Sequence, residues 1–142
     1  MSSATSAFAP SAASELISAS LASRIVWLDA FTTNPDRTHR NPNLLVWQRR
    51  PWLIDHGAAL YFHHDWSRAA PDKPFDARHH VVRERATRLK QAHEKLSPLV
   101  TAPLLERIAA AVPPAWFGER GADAYVDQLV NRAPVVPEVI RL

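Results

Sequence analysis

The chain has 142 residues, of which 46% are hydrophobic and 22% charged, with a formal net charge of +3. This length and composition predict one globular domain with a real core, and they exclude a disordered or fibrous protein. The absence of cysteine excludes disulfides, thiolate chemistry and most structural zinc sites. No apolar run approaches the roughly 20 residues of a membrane span, and the N-terminus lacks a signal-peptide pattern, so we expect a cytoplasmic protein without a membrane partner.

The charge balance gives little reason to expect nucleic acid as a partner. Seventeen basic and fourteen acidic residues nearly cancel, although the sequence pI is near 9.8 because most of the bases are arginine. A net charge this small suits a domain that handles nucleotide phosphates equally well. The five tryptophans form no stacking repeat of the kind that binds single strands.

The first half of the chain predicts a tail, a helix and a hairpin. Residues 1–20 are rich in Ser and Ala and predict a disordered tail. Residues 21–31 carry apolar side chains at helical spacing, and the following Asn34-Pro35 pair ends this helix because the residue before a proline avoids the α region. Two short apolar runs, Leu44–Trp47 and Trp52–Ile54, predict the strands of a β-hairpin.

The second half predicts three helices, over residues 77–96, 101–112 and 122–132. Thr101 is the expected N-cap of the second of these helices. Residues 134–142 are expected to form a C-terminal tail, and the predicted fold class is α+β, mostly α-helical. One shared core is expected to contain Ile25, Leu28, Leu44, Val46, Leu53, Ile54, Leu105, Ile108, Tyr125 and Leu129.

Three residues follow one another in an order that phosphoryl-transfer enzymes use. Asp36 and Asn41 lie in a polar loop, and Asp55 ends an apolar strand shortly before Gly57. In kinase-type chemistry one carboxylate orients or deprotonates the attacking hydroxyl, while an amide oxygen and a second carboxylate hold magnesium. Each residue alone is also explained by turn and capping chemistry. It is their combined order that favours the catalytic interpretation.

The runs DRTHRNPNLL from Asp36 and LIDHGAALYFHH from Leu53 resemble the C-terminal lobe of bacterial HipA-like kinases. These enzymes are relatives of the HipA toxin kinases and, more remotely, of the phosphoinositide kinases. The resemblance is strongest over residues 24–66, and the kinase-like lobe is expected to span residues 21–133. It implies that Asp36 is the catalytic aspartate and that Asn41 and Asp55 bind magnesium, with both side-chain oxygens roughly 2.0–2.1 Å from one ion.

The resemblance also implies a set of residues around bound ATP. Arginines favour bidentate contacts to phosphate, and neighbouring histidines can supply polar contacts to phosphate or to Asp36. The expected cofactor-binding residues are Arg37, His39, Arg40, His56 and Gly57. Two departures separate the chain from ordinary protein kinases, which have His-Arg where Asn34-Pro35 stands and Phe where His56 stands.

A kinase N-lobe is expected to be absent from this chain. That lobe needs about five strands, a glycine-rich phosphate loop and a strand lysine. The chain has three glycines, at 57, 118 and 121, and its lysines all follow Asp55. The expected function is therefore that of a partial domain, the hairpin-bearing half of a Mg²⁺- and ATP-dependent kinase that acts on an unknown hydroxyl. A partner chain is expected to supply the N-lobe, and the 142 residues alone are expected to be inactive.

Two other functions stay open from the sequence. The first is a non-catalytic remnant or binding module that keeps the kinase fold without turnover. The second is a metal-dependent hydrolase built on Asp55 and nearby histidines, since histidines with a carboxylate can bind a transition metal. Against this, adjacent histidines such as His63 and His64 are expected to point in different directions on a regular element.

Overall fold

Helix α1, Ala19–Phe31, lies at the centre of the α+β structure, a computed structural model that describes residues 6–7 and 16–142. The Ser18 side chain caps the helix by accepting the Leu21 N–H at 3.1 Å. The helix contacts the turn Arg83–Arg85 and the two helical segments Leu89–Leu96 and Val136–Val139. Its buried residues are Ala22, Ser23, Ile25, Val26, Trp27, Asp29, Ala30 and Phe31. The predicted helix over residues 21–31 is confirmed, with an earlier start.

The predicted hairpin is confirmed as part of a small antiparallel sheet. Strand β2, Leu44–Trp47, pairs with β3, Arg50–Leu53, and Leu44 lies opposite Leu53. Strand β1, Ser6–Ala7, pairs with the other edge of β2. A second sheet joins β4, Phe75–Asp76, to the C-terminal strand β5, Ile140–Arg141, in parallel.

Helices dominate the second half of the described chain. Helix α2 spans Leu89–Leu96, α3 spans Ala102–Ala110 and α4 spans Gly121–Arg132. The Thr101 side chain accepts the Leu104 N–H at 3.3 Å, which confirms it as the N-cap of α3. Short α5, Val136–Val139, returns the chain to α1 and α2. Within residues 16–142, no helix is both long enough and apolar enough to cross a bilayer.

The predicted helix over residues 77–96 is wrong over its first half, where the chain forms turns and the 3₁₀ segment Arg83–Arg85. Tertiary contacts override helical propensity here. The Val81 N–H donates to the Arg37 carbonyl at 3.0 Å, and the His80 ring is buried against α1.

Both predicted tails also need correction. Residues 16–20 include the buried Ile17 and the first turn of α1, while the rest of the predicted tail lies outside the described residues except for strand β1. Residues 134–142 carry Val136 and Val139, which are buried. Their prolines do not prevent helix formation, because proline is tolerated in the first turn of a helix, where α5 places one.

The core agrees only in part with the expected set. Ile25 and Leu44 are buried in one cluster. Four other expected residues are partly buried and pack against it: Leu28, Val46, Leu53 and Leu129. Ile108 is 56% exposed, so its assignment to the core is wrong.

Candidate functional site

Three asparagines surround Asp36 in the loop that follows α1. The Asp36 N–H donates to Asn34 Oδ1 at 3.1 Å, and its carbonyl accepts from Asn43 Nδ2 at 2.8 Å. The carboxylate oxygen Oδ2 accepts from Asn41 Nδ2 at 3.1 Å and from Asn43 Nδ2 at 3.4 Å. Asn34 and Asn43 are buried, whereas Asn41 is exposed. The loop therefore fixes the orientation of Asp36 and leaves one of its three amides at the surface.

A buried ion pair anchors this loop to helix α1. Arg37 Nε donates to Asp29 Oδ2 at 2.7 Å, and Arg37 Nη2 donates to Asp29 Oδ1 at 3.2 Å. His80 Nδ1 accepts the Val82 N–H at 3.2 Å, so His80 Nε2 is the protonated nitrogen and donates to Asp29 Oδ2 at 2.7 Å. Asp29 and Arg37 are each 1% exposed. The expectation that Arg37 binds phosphate is wrong, because its guanidinium is buried and engaged.

The same guanidinium connects the loop to the end of the hairpin. Arg37 Nη1 donates to the Asn43 carbonyl at 2.6 Å and lies 3.4 Å from the Ile54 carbonyl. The Ile54 N–H donates to the Asn43 carbonyl at 3.0 Å, and Arg37 Nη2 lies 3.4 Å from His56 Nδ1. Asp55 stands between Ile54 and His56. One side chain thus holds together the two segments that carry the predicted site residues.

Asp55 is exposed and has an unusual backbone conformation. Its φ is +51°, in the left-handed region, which Asp adopts more readily than most other non-glycine residues. The Gly57 N–H lies 3.4 Å from Asp55 Oδ1. The chain therefore turns at Asp55, while Gly57, two residues later, does not adopt positive φ.

The remaining predicted contact residues lie at the surface beside this loop. His39 and Arg40 are exposed within a turn that is closed by two reciprocal bonds. In that turn the Thr38 N–H donates to the Asn41 carbonyl at 3.1 Å, and the Asn41 N–H donates to the Thr38 carbonyl at 3.2 Å. His56 is also exposed. These three side chains remain accessible to a bound ligand, unlike Arg37.

The donor atoms available here are of the kind that magnesium takes. Because Asn41 Nδ2 is the donor to Asp36, its Oδ1 is the side-chain atom that could bind a cation. Asp55 offers an exposed carboxylate. Magnesium is commonly held by one or two protein oxygens together with waters and phosphate oxygens. Within residues 16–142, no group of three or more His, Asp or Glu side chains is arranged around a possible metal position.

A cleft of about 370 Å³ lies next to the loop. Thr33 and Pro35 form one wall, immediately before Asp36 in the chain, and Gln128 of α4 contributes a buried amide. The other lining residues are Tyr61, Phe62, Ala70, Lys73, Pro74, Phe75 and Asp76. The cleft therefore combines aromatic walls with one cation and one carboxylate.

Sequence reasoning missed the residues that support the loop. Asp29 lies one helical turn after Ile25, and a carboxylate in line with a core residue could have indicated a buried, paired charge. His80 carries no comparable signal, because it reaches Asp29 only through tertiary folding. Asn43 carries no local signal either, because its amide reaches Asp36 through the fold of the loop.

Comparison of the chain with protein-family models, curated proteins and solved structures finds no match in any of the three.

Proposed function

We propose that this chain is the C-lobe of a HipA-like kinase, which transfers a phosphoryl group from ATP to a hydroxyl. The observation that carries the proposal is the set of Arg37 hydrogen bonds that join the Asp36–Asn43 loop to the end of the hairpin. These bonds hold Asp36, Asn41 and Asp55 on two adjacent segments. The sequence order that resembles a kinase is thus matched by segments that meet in space.

In this proposal Asp36 acts on the hydroxyl group that receives the phosphoryl group. Its carboxylate accepts the proton as the acceptor oxygen forms its bond to the γ-phosphorus and the bond to ADP breaks. The surrounding amides hold the carboxylate in one orientation, so little reorganisation is needed when the acceptor binds. Arg37 positions the loop from behind and does not touch the substrate.

Asn41 Oδ1 and the Asp55 carboxylate are the proposed magnesium ligands. When bound, magnesium would neutralise charge on the phosphates of ATP. His39, Arg40 and His56 are exposed and close in sequence to these ligands, and in the proposal they contact phosphate oxygens. The exposure of the Asp55 carboxylate at the end of the hairpin supports this assignment, since a magnesium ligand must be accessible to the ion.

The remaining groups that hold the phosphates of ATP would come from another chain or segment. The chain contains three glycines, and none of them lies before Asp36. A partner segment that supplies a glycine-rich loop and a strand lysine would hold the phosphates in line. Because phosphoryl transfer depends almost entirely on positioning and charge stabilisation, the 142 residues alone should give almost none of the rate.

The test is complementation with a kinase N-lobe, added as a separate chain or fused before Met1. We expect weak ATP binding and no measurable turnover for the 142 residues alone, and ADP release with phosphate transfer once the N-lobe is present. Asp55→Ala should abolish this activity. Asp127→Ala, which removes an exposed carboxylate of α4, is the matched control and should leave the activity unchanged.

Two results would contradict the proposal. Robust phosphorylation by the 142 residues alone, still lost in Asp55→Ala, would show that this chain already contains the groups that hold the phosphates of ATP. A complemented chain that folds and binds ATP but gives no turnover, with binding unaffected by Asp55→Ala, would favour the non-catalytic binding module. Asp36 Oδ2 already accepts from two amides at 3.1 and 3.4 Å, which would compete with an acceptor hydroxyl for that oxygen, and this makes the alternative the second candidate.

A further inference from the structure

His63 and His64 bring two ring nitrogens together at the protein surface. They end the 3₁₀ turn Tyr61–His64, and both side chains are exposed. Their ring centroids are 4.3 Å apart at an interplanar angle of 78°, and their Nε2 atoms are 3.2 Å apart. The expectation that neighbouring histidines diverge is wrong at this pair, because the pair lies in a 3₁₀ turn between two tyrosine rings.

The surroundings hold the two rings in this arrangement. Tyr61 packs edge-on against His64 at 5.2 Å between centroids, and Tyr125 of α4 lies 6.5 Å from His63. The turn itself is attached to the end of α1, since the Leu60 N–H donates to the Thr32 carbonyl at 2.6 Å. The pair is therefore supported by contacts from both sides and from the backbone.

The separation of the two Nε2 atoms matches the bite of a metal ion. Two imidazole nitrogens bound to one ion at 2.0–2.1 Å lie about 3.3 Å apart in tetrahedral geometry and about 2.9 Å apart at adjacent positions of the square-planar geometry that Cu²⁺ prefers. We propose that His63 and His64 form a two-histidine site for a divalent transition-metal cation such as Cu²⁺, Ni²⁺ or Zn²⁺. Small rotations of the rings would direct both lone pairs at the same ion.

Partial burial, followed by the charge of His64, lowers the pKa of His63 below its usual value.

The side chains next to the histidine pair do not occupy the remaining coordination positions of a bound ion. Asp65 follows the pair directly, but its Oδ1 accepts from the Ser67 hydroxyl at 2.5 Å and its Oδ2 lies 3.7 Å from Arg68 Nε. Glu119 and Arg120 line a cleft of about 340 Å³ together with His63. Because both rings are exposed, water from the solvent would complete the coordination. With only two protein ligands, the affinity should follow the Irving–Williams order, with Cu²⁺ bound most tightly.

This site is separate from Asp36, Asn41 and Asp55 and does not depend on the kinase proposal. The first site offers oxygen atoms, which suit magnesium, and the second offers imidazole nitrogens, which suit copper, nickel and zinc. The two sites should therefore select different metals in a mixture.

The experiment is a titration of the apo protein with Cu²⁺, followed by electron paramagnetic resonance and calorimetry, with Zn²⁺ titrated separately. We expect one tight equivalent of Cu²⁺ with nitrogen ligation. Single His63→Ala and His64→Ala variants should each lower the affinity by at least about tenfold. His79→Ala is the matched control, because His79 is exposed elsewhere on the chain and should leave the affinity unchanged.

Three outcomes would overturn the inference: no nitrogen-ligated copper, affinities unchanged in both variants, or an equal loss in His79→Ala. Because both histidines are exposed, the variants should keep the fold, which circular dichroism checks. Zinc-induced shifts of the His63 and His64 ring signals in nuclear magnetic resonance spectra provide a second readout.

Discussion

Asp29 and Arg37 hold the segments of the candidate site in position. Their ion pair is buried, and His80 donates to the same carboxylate. A buried charge without its partner is strongly unfavourable, so each member depends on the others. Arg37 also donates to carbonyls of the loop and of the hairpin, which makes the position of Asp36 and Asp55 depend on a residue that touches no substrate.

Asp29→Asn should lower the free energy of unfolding by about 3–5 kcal/mol, because it leaves the Arg37 guanidinium buried without a counter-charge. Urea denaturation followed by circular dichroism measures this change. The matched control is Asp76→Asn, which breaks the exposed Asp76–Arg78 ion pair and should change stability little. Equal effects of the two substitutions would show that the buried network does not hold the fold.

The site residues differ in how far sequence could predict them. Asp36, Asn41 and Asp55 could be proposed from sequence because their chemistry is local and their order along the chain is informative. Arg37 was assigned to phosphate binding because arginine favours bidentate contacts to phosphate. Its burial depends on Asp29 and His80, and no local pattern reports contacts that span 51 residues, as that between Asp29 and His80 does.

Among the secondary-structure elements, the hairpin was predictable and its turn was not. Gln48 and Arg49 join the strands with φ values of +49° and +60°. Two consecutive positive values are typical of a type I′ turn, which prefers Asn-Gly. Here the chain forms the turn with two residues poorly suited to it, because the pairing of Leu44–Trp47 with Arg50–Leu53 determines the connection. Pro51 fits because β3 is an edge strand.

The double substitution Gln48→Asn with Arg49→Gly should stabilise the protein by about 1–2 kcal/mol, since both new residues adopt positive φ more readily. A rise in the urea midpoint with an unchanged slope would confirm it. The reference is a Gln48→Val and Arg49→Val variant, which should be less stable than the natural chain because β-branched residues disfavour this conformation. A lower midpoint for the Asn-Gly variant would contradict the turn assignment.

The helices show the same division between local and distant information. Helices α3 and α4 were predicted nearly to their ends, because a capping threonine and an apolar stripe are local signals. Residues 77–88 have helical composition but form turns, because they contact Arg37 and Asp29. Propensity fails where a buried polar network determines the backbone.

For the whole molecule, sequence predicted the fold class but not how the chain closes on itself. The α+β composition and a helix-first order followed from the apolar spacing. The pairing of β4 with β5 brings Phe75 opposite Ile140 at the far end of the chain. Val136 and Val139 are buried by this return. Pro134 and Pro137 suggested that no helix follows α4, because proline is excluded from a helix interior. Proline is tolerated in the first turn of a helix, however, and Pro137 lies in the first turn of α5.

The central claim is that Asn41 and Asp55 bind one divalent cation, and Mn²⁺ in place of magnesium tests it most directly. Mn²⁺ favours oxygen ligands and broadens nuclear magnetic resonance signals near its binding site. We predict that the amide signals of Asn41 and Asp55 broaden together at the lowest Mn²⁺ concentrations, and that Asp55→Gly, which suits the positive φ, abolishes both effects in a folded protein. Broadening at only one of the two segments, or only at His63 and His64, would contradict the account.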